Sequence, residues 1–228
     1  GIRKRCNFWK QPPRSPPMLI ELNQIIPSPL PDKVIDSSEI WNLNLVIQPQ
    51  SKTLISAQSG LGKSTLLHLI YGLRQDYSGQ LLIDGKPARD FSFIQWEELR
   101  RESLSLVFQD LRLFPHLSAQ DNLNLIPQSN PASPSIMEMA DRLGMESHLH
   151  QPVSTLSHGQ RQRIAIMRAL RKPFRILLLD EPFSHLDEIN QTLACELIRD
   201  VVEQQQAGLI LSSLGSAPAL SFDDQYSL

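Results

Sequence analysis

The chain has 228 residues, of which 41% are hydrophobic and 20% are charged, so it is long enough for one domain with an appended subdomain. The net charge of −2 argues for neither nucleic acid nor an acidic ligand, and no apolar run approaches the roughly 18 residues that span a bilayer. The two cysteines, Cys6 and Cys195, lie far apart without metal-ligand spacing, which indicates a reducing compartment.

Residues 1–17 carry five basic side chains and four prolines, with almost nothing to bury. This composition predicts a disordered basic and proline-rich tail, followed by one domain over residues 18–228. We interpret Met18 as the natural start of the protein. The alternative is a basic arm that touches anionic lipid.

Hydrophobic periodicity predicts an alternation of strands and helices along the domain. The predicted strands lie at 19–23 (a sheet edge before a proline-rich turn), 41–47, 53–56, 80–84, 104–108, 176–179, 209–212 and 225–228. The predicted helices follow residue 63 and lie at 94–101, 160–170 and 187–206, with a hairpin at Asp84-Gly85. Apolar residues at helical spacing between 116 and 150 predict a helical insertion. Such alternation implies a mainly parallel sheet covered on both faces.

The segment 56–69, SAQSGLGKSTLLHL, has the pattern of a strand, a small-residue loop and the start of a helix. Backbone N–H groups in such a loop, together with the positive end of the helix dipole, bind phosphate. Lys63 is expected to reach the β- and γ-phosphates, and the Ser64 hydroxyl to hold Mg²⁺. Ala57 stands where the motif has its first Gly, and the alternative is a turn that binds nothing. The predicted nucleotide-binding residues are Ser59, Gly60, Leu61, Gly62, Lys63, Ser64 and Thr65.

Asp180 and Glu181 follow a fully apolar predicted strand. Ligands of open α/β sheets bind at such carboxyl ends, so Asp180 is predicted to hold the Mg²⁺ shell and Glu181 to deprotonate a water molecule. Phosphoryl transfer to water requires a phosphate-binding loop, a cation and a positioned water nucleophile, and the predicted residues provide for all three. The alternative is an acidic turn without a ligand.

Residues 156–160, LSHGQ, precede a basic amphipathic helix. With the phosphate-binding loop and the Asp180-Glu181 pair, this motif makes the chain resemble the ATP-binding cassette (ABC) ATPase family from about residue 19 to the C terminus. The family pattern is LSGGQ, so His158 is a departure at a position where we expect a surface side chain. The resemblance implies a P-loop NTPase fold: a mainly parallel α/β sheet, an antiparallel β-subdomain on the N-terminal side, and a helical subdomain inserted at about 113–160.

In this family two cassettes meet head to tail, and the signature loop of one caps the γ-phosphate held by the other. The resemblance therefore assigns Ser157, Gly159 and Gln160 to nucleotide binding, although Ser157 can equally be a helix N-cap. Gln109 matches the glutamine that contacts Mg²⁺ and the attacking water. Asp187 matches a dimer-contact position, and an N-cap role explains it almost as well.

Two further positions depart from the family pattern. Ser213 stands in the place of the histidine that contacts the γ-phosphate, so we expect weaker stabilisation of transition-state charge. No aromatic residue stands at 25–27, where the family stacks a ring on adenine. Trp41 is expected to be buried in the core, which leaves an apolar contact through Ile26 or the proline-rich loop for the base.

The sequence therefore predicts an ATP-binding and ATP-hydrolysing subunit of an ABC transporter that dimerises on ATP. Its expected partners are a separate transmembrane permease and a second cassette, which is either identical or different. Nucleic acid is not an expected partner. Its expected location is the cytoplasmic face of the plasma membrane, as a peripheral subunit. Because Ser213 and Ala57 depart from the pattern, the alternative is a hydrolysis-poor cassette that serves as a regulatory or structural subunit.

Overall fold

The structure is a computed structural model that describes residues 16–56, 62–126, 130–214 and 219–228. Within these ranges the chain forms two β-sheets and a set of α-helices that cover them. The larger sheet carries the candidate site, and the smaller one lies on the N-terminal side in sequence.

The smaller sheet is antiparallel and has the order β2-β1-β4-β5. A short helix, α1, spans Asp32–Ser37 between its first two strands. The hairpin between the last two strands turns at Asp84 and Gly85, which have φ values of 51° and 74°. Two positive φ values in a two-residue loop are what an Asp-Gly hairpin provides, so the hairpin prediction is confirmed. The strands are β1 (Ile20–Pro27), β2 (Asn44–Ile47), β4 (Tyr77–Ile83) and β5 (Lys86–Pro87).

Two details of this region differ from the prediction. The first strand is not a sheet edge, because β1 lies between β2 and β4, and it continues to Pro27 past a register shift between Asn23 and Ile26. The second strand begins at Asn44 rather than at residue 41, because the chain turns at Asn42, which has a φ of 60°. Leu43 is consequently 48% exposed, although its spacing assigned it to the buried face.

The larger sheet has five strands in the order β6-β7-β8-β3-β9, and every neighbouring pair is parallel. The predicted parallel sheet is therefore confirmed. Because all strands run the same way, their carboxyl ends meet along one edge. The strands are β3 (Lys52–Ser56), β6 (Leu104–Val107), β7 (Ile176–Asp180), β8 (Gly208–Ser213) and β9 (Asp224–Ser227).

Helices cover both faces of this sheet, and alternate residues of β7 separate the two cores. Leu177 and Leu179 belong to one core with α6 and α7, while Ile176 and Leu178 belong to the other with α2 and the antiparallel sheet. This alternation explains why the whole strand is apolar. The remaining helices are α2 (Lys63–Ile70), α3 (Phe93–Glu102), α4 (Ala119–Asn124), α5 (Ile136–Arg142), α6 (His158–Arg171) and α7 (Glu188–Gln205).

The predicted helical insertion corresponds to α4 and α5, which lie between β6 and α6 in the chain. Its limits as a subdomain, at about 113–160, stay a prediction. Among the described helices, none is both long enough and apolar enough to cross a membrane.

Candidate nucleotide site

The site is built around the first turn of α2. Its N-cap residue, Gly62, has a φ of 97°, which L-residues with a side chain rarely adopt. A Cβ atom there would lie 3.1 Å from Cζ2 of Trp41, whose side chain is 1% exposed. Trp41 is therefore a core residue that packs under the start of α2, as predicted, and its ring is not exposed to a base. Ala57 and the predicted contacts Ser59, Gly60 and Leu61 lie outside the described residues.

Lys63, the first residue of α2, contacts Glu181, the residue after β7. Their Nζ and Oε1 atoms are 3.4 Å apart, and the two side chains are only 4% and 9% exposed. Two opposite charges this far removed from water must compensate each other, because either one alone would be costly to bury. The fold thus brings together the two charged residues to which the sequence assigns phosphate binding and water activation.

Asp180, the last residue of β7, is 1% exposed and is held by the neighbouring strand. The Ser212 hydroxyl donates to Asp180 Oδ1 over 2.7 Å and accepts from the Glu181 N–H over 3.1 Å. The second carboxylate oxygen, Oδ2, is buried and has no hydrogen-bond partner among the described residues. Buried carboxylate oxygens normally have a partner, so this oxygen is suited to a cation.

Two further oxygen atoms that could act as metal ligands lie close together near the start of α2. The Ser64 hydroxyl lies 3.4 Å from Oε1 of Gln109, which follows β6. A hydroxyl, an amide oxygen and a carboxylate are ligands that a hard cation such as Mg²⁺ prefers. The donor set of Ser64, Gln109 and Asp180 therefore fits the predicted metal. Thr65 instead has its hydroxyl bonded to Arg74 over 3.1 Å.

The signature loop, residues 156–160, begins helix α6 through a capping box. The Ser157 hydroxyl accepts from the Gln160 N–H over 3.2 Å, and the Gln160 side chain accepts from the Ser157 N–H over 2.8 Å. Helix α6 therefore starts at His158, two residues before its predicted start. Gly159 allows a close approach, since a Cβ there would lie 2.7 Å from the carbonyl oxygen of His185.

His158 packs on a second histidine. Its ring and that of His185 have centroids 3.7 Å apart at an interplanar angle of 31°. Burial lowers the pKa of His158 below its ordinary value of 6.5, and the neighbouring His185 and Arg161 lower it further. The two residues are far apart in sequence, so spacing alone could not reveal this contact.

Asp187 is the N-cap of α7, where its Oδ1 accepts from the Asn190 N–H over 2.8 Å. This hydrogen bond is the main reason why the pKa of Asp187 lies below its usual range. The structure thus bears out the cap alternative for this residue. A dimer contact at the same position stays a prediction.

Ser213 ends β8 and pairs with Ser56 of β3. Since β8 lies between β7 and β3, Ser213 stands at the same sheet edge as Asp180. One residue at this edge was missed by the sequence reasoning: Gln162, which is 1% exposed and bonds to the segment after β7. Its helical spacing from the buried Ile166 is the signal that could have revealed it.

Comparisons with known proteins agree with this geometry. The model of a family described as ABC transporter matches residues 40–184. The chain is 34% identical over 175 residues to the thiamine import ATP-binding protein ThiQ of Haemophilus ducreyi, covering 73% of this chain and 78% of that protein. It is 29% identical over 202 residues to the lipoprotein-releasing system ATP-binding protein LolD of Shewanella denitrificans, covering 86% and 87%.

Among solved structures, the ATP-binding cassette MJ0796 in a post-hydrolysis state bound to ADP and Pi superposes with a TM-score of 0.70. The sequence identity is 25%, over 85% of this chain and 87% of that one. The fold and the site define a nucleotide-binding protein of the P-loop class. The chain belongs to the ABC transporter family, in which it is the ATP-binding cassette, an ABC-type ATPase.

Proposed function

We propose that this chain hydrolyses ATP as one of two head-to-tail cassettes that drive a separate transmembrane permease. The observation that carries the proposal is the contact between Lys63 and Glu181, which stand 3.4 Å apart with Asp180 next in the chain. Phosphate binding and water activation must occur within a few ångströms of each other, and this arrangement allows both.

In this proposal the Lys63 ammonium binds the terminal phosphates, assisted by N–H groups at the start of α2. Once Lys63 turns to the phosphates, the Glu181 carboxylate is free to accept a proton from the attacking water. Ser64, Gln109 and Asp180 would hold Mg²⁺, which supplies positive charge to the phosphate oxygens. The Oδ2 atom of Asp180, which has no hydrogen-bond partner within the part of the chain that the structure describes, supports the proposal of that metal.

The second half of the site comes from another cassette. Ser157, Gly159 and Gln160 lie in or beside the first turn of a 14-residue helix whose positive end is suited to an anion. The solved relative MJ0796 is described as a dimer. We therefore expect the signature loop of one copy to cap the triphosphate held by the other.

The permease is expected to bind beside α4. Phe114, Leu117 and Leu125 flank this helix and are 55%, 36% and 48% exposed. Exposed apolar side chains on both sides of one short helix indicate a surface for another protein. Binding there would place the chain peripherally at the cytoplasmic face of the plasma membrane.

Ser213 favours a slow enzyme. A serine hydroxyl donates one hydrogen bond but carries no positive charge, so we expect a lower turnover than a histidine would give. In the second candidate function, the same departure makes the chain a hydrolysis-poor subunit that binds nucleotide beside an active cassette.

The test is the substitution Glu181→Gln, which keeps the shape of the side chain and removes the base. We expect this variant to bind ATP without hydrolysing it and to form a stable dimer, seen by light scattering as about twice the chain mass of 25.8 kDa. Glu196→Gln, on the exposed face of α7, is the control with the same charge change. A Glu181→Gln chain that stays monomeric at saturating Mg²⁺-ATP would contradict the proposal.

A further inference from the structure

Gln162 is a buried polar side chain in the second turn of α6. It is 1% exposed and shares the inward face of the helix with Ala165 and Ile166. A buried amide without hydrogen bonds is costly, so the partners of this side chain determine what it does.

Both ends of the amide bond to the segment that follows β7, which we name the β7 turn and define as residues 181–185. The Gln162 Oε1 atom accepts from the His185 N–H over 3.0 Å. Its Nε2 atom donates to the Ser184 hydroxyl over 2.9 Å and to the Glu181 carbonyl oxygen over 3.4 Å. One side chain thus contacts the beginning and the end of the same turn.

Glu181 needs such support because of its backbone conformation. Its φ is 47°, a region that residues with a side chain seldom occupy and that persists only when neighbouring contacts enforce it. On one side, its N–H bonds to the hydroxyl and the carbonyl oxygen of Ser212. On the other side, its carbonyl bonds to Gln162, so the peptide is held from both β8 and α6.

The same turn contacts the signature loop. The His185 ring lies against His158, and the His185 carbonyl oxygen lies where Gly159 permits a close approach. Ser184 also bonds to the His185 ring through Nδ1 over 2.9 Å. The β7 turn therefore contacts Lys63 through Glu181 at its beginning and the start of α6 through His185 at its end.

We propose that Gln162 is a positioning residue, which holds the β7 turn so that the Glu181 carboxylate faces Lys63. It acts through Glu181 and does not itself touch nucleotide. The inference rests on the proposed role of Glu181 as the base. It adds that helix α6, through Gln162, fixes the orientation of the Glu181 carboxylate within the same chain.

The test compares Gln162→Met with Gln191→Met. Met has nearly the shape of Gln without its polar atoms, and Gln191 is a matched control because its Nε2 donates to the carbonyl oxygen of Phe183, in the same turn. We expect Gln162→Met to lower kcat for ATP roughly tenfold, with KM unchanged within about twofold, because a misplaced base affects the chemical step and not binding. Gln191→Met should leave both parameters close to wild type.

A second variant tests the donor half of the amide, and circular dichroism of both variants reports whether they are folded. Gln162→Glu keeps an oxygen that can accept from the His185 N–H but loses the donor to Glu181, and we expect a similar loss of kcat. In the Glu181→Gln background, which is expected to bind ATP without hydrolysing it, Gln162→Met should leave the affinity for ATP unchanged, because Gln162 does not touch nucleotide.

Three kinetic results would overturn the inference: an unchanged kcat in both Gln162 variants, a rise in KM alone, or equal losses at Gln162 and Gln191. Hydrogen exchange of the amides of Glu181 and of residues 183–185 separates this inference from the proposed function. If the wild-type chain hydrolyses no ATP, the proposed function fails, while faster exchange in Gln162→Met alone still supports the positioning of the turn. Unchanged exchange contradicts the positioning directly.

Discussion

Two regions of the molecule carry the candidate site, and they differ in burial and in how closely they follow the family pattern. At the carboxyl edge of the parallel sheet, Lys63, Asp180 and Glu181 are all less than 10% exposed and match the pattern. At the start of α6, the signature loop has Ser157 and His158 exposed, and it carries His158 in place of a glycine. The buried charges are thus organised within one chain, whereas the signature loop exposes Ser157 and His158, as the proposed head-to-tail pairing with a second cassette requires.

The largest effect is expected from breaking the buried region at Lys63. Lys63→Met removes the proposed charged contact to phosphate and leaves Glu181 without its counter-charge, so we expect ATP affinity to fall roughly tenfold to hundredfold. Lys52→Met is the control, because Lys52 pairs with the exposed Glu203 at the other end of β3. Equilibrium titration with a fluorescent ATP analogue measures the affinity of both variants. Equal losses of affinity in the two variants would mean that the buried Lys63–Glu181 pair has no special role.

A smaller effect, in the opposite direction, is expected at Ser213. This residue departs from the family pattern at the carboxyl edge of the parallel sheet. Ser213→His should raise the steady-state rate of phosphate release about tenfold or more, because an imidazole adds a donor for transition-state charge. Ser213→Gln controls for side-chain size without adding a group that can be charged. If the histidine variant is no faster than wild type, another group already supplies this contact.

The smallest effect is expected from titration of His158 in the exposed region. Its pKa is lowered in the folded protein, so below pH 6.5 the unfolded chain binds more protons there than the folded chain does. The free energy of unfolding should therefore be highest above pH 6.5 and should decrease as the pH falls toward the folded pKa. His158→Asn should flatten this dependence in urea unfolding curves, and an identical slope in both proteins would contradict the assignment.

The sequence predicted the parallel sheet and its site edge well, because those strands are continuous apolar runs that end in polar residues. The positions of Asp180 and Glu181 follow from that pattern, whereas Lys63 was assigned from the phosphate-binding motif and Ser213 from the resemblance to the family. The prediction of the antiparallel sheet was less accurate. Leu43 has the alternating spacing of a buried residue, yet the positive φ of Asn42 turns the chain there and exposes the Leu43 side chain.

Contacts between distant segments could not be predicted. The stacking of His158 on His185 and the bonds from Gln162 to the β7 turn join α6 to the end of β7, and neither follows from spacing within one element. Gln162 was hidden for a further reason, since a glutamine in a basic helix usually faces water. Its spacing from Ile166 indicates burial, but the partners that its amide needs there come from the β7 turn, which is distant in sequence.

The most direct test of the central claim is calorimetric titration of ATP into the wild-type chain and into Asp180→Asn, each with and without Mg²⁺. Asparagine can still accept from Ser212, so the substitution removes the charge while keeping that hydrogen bond. We expect Mg²⁺ to tighten ATP binding in the wild-type chain and to have little effect in the variant. An equal Mg²⁺ effect in both proteins, or no ATP binding by the folded wild-type chain, would contradict the account.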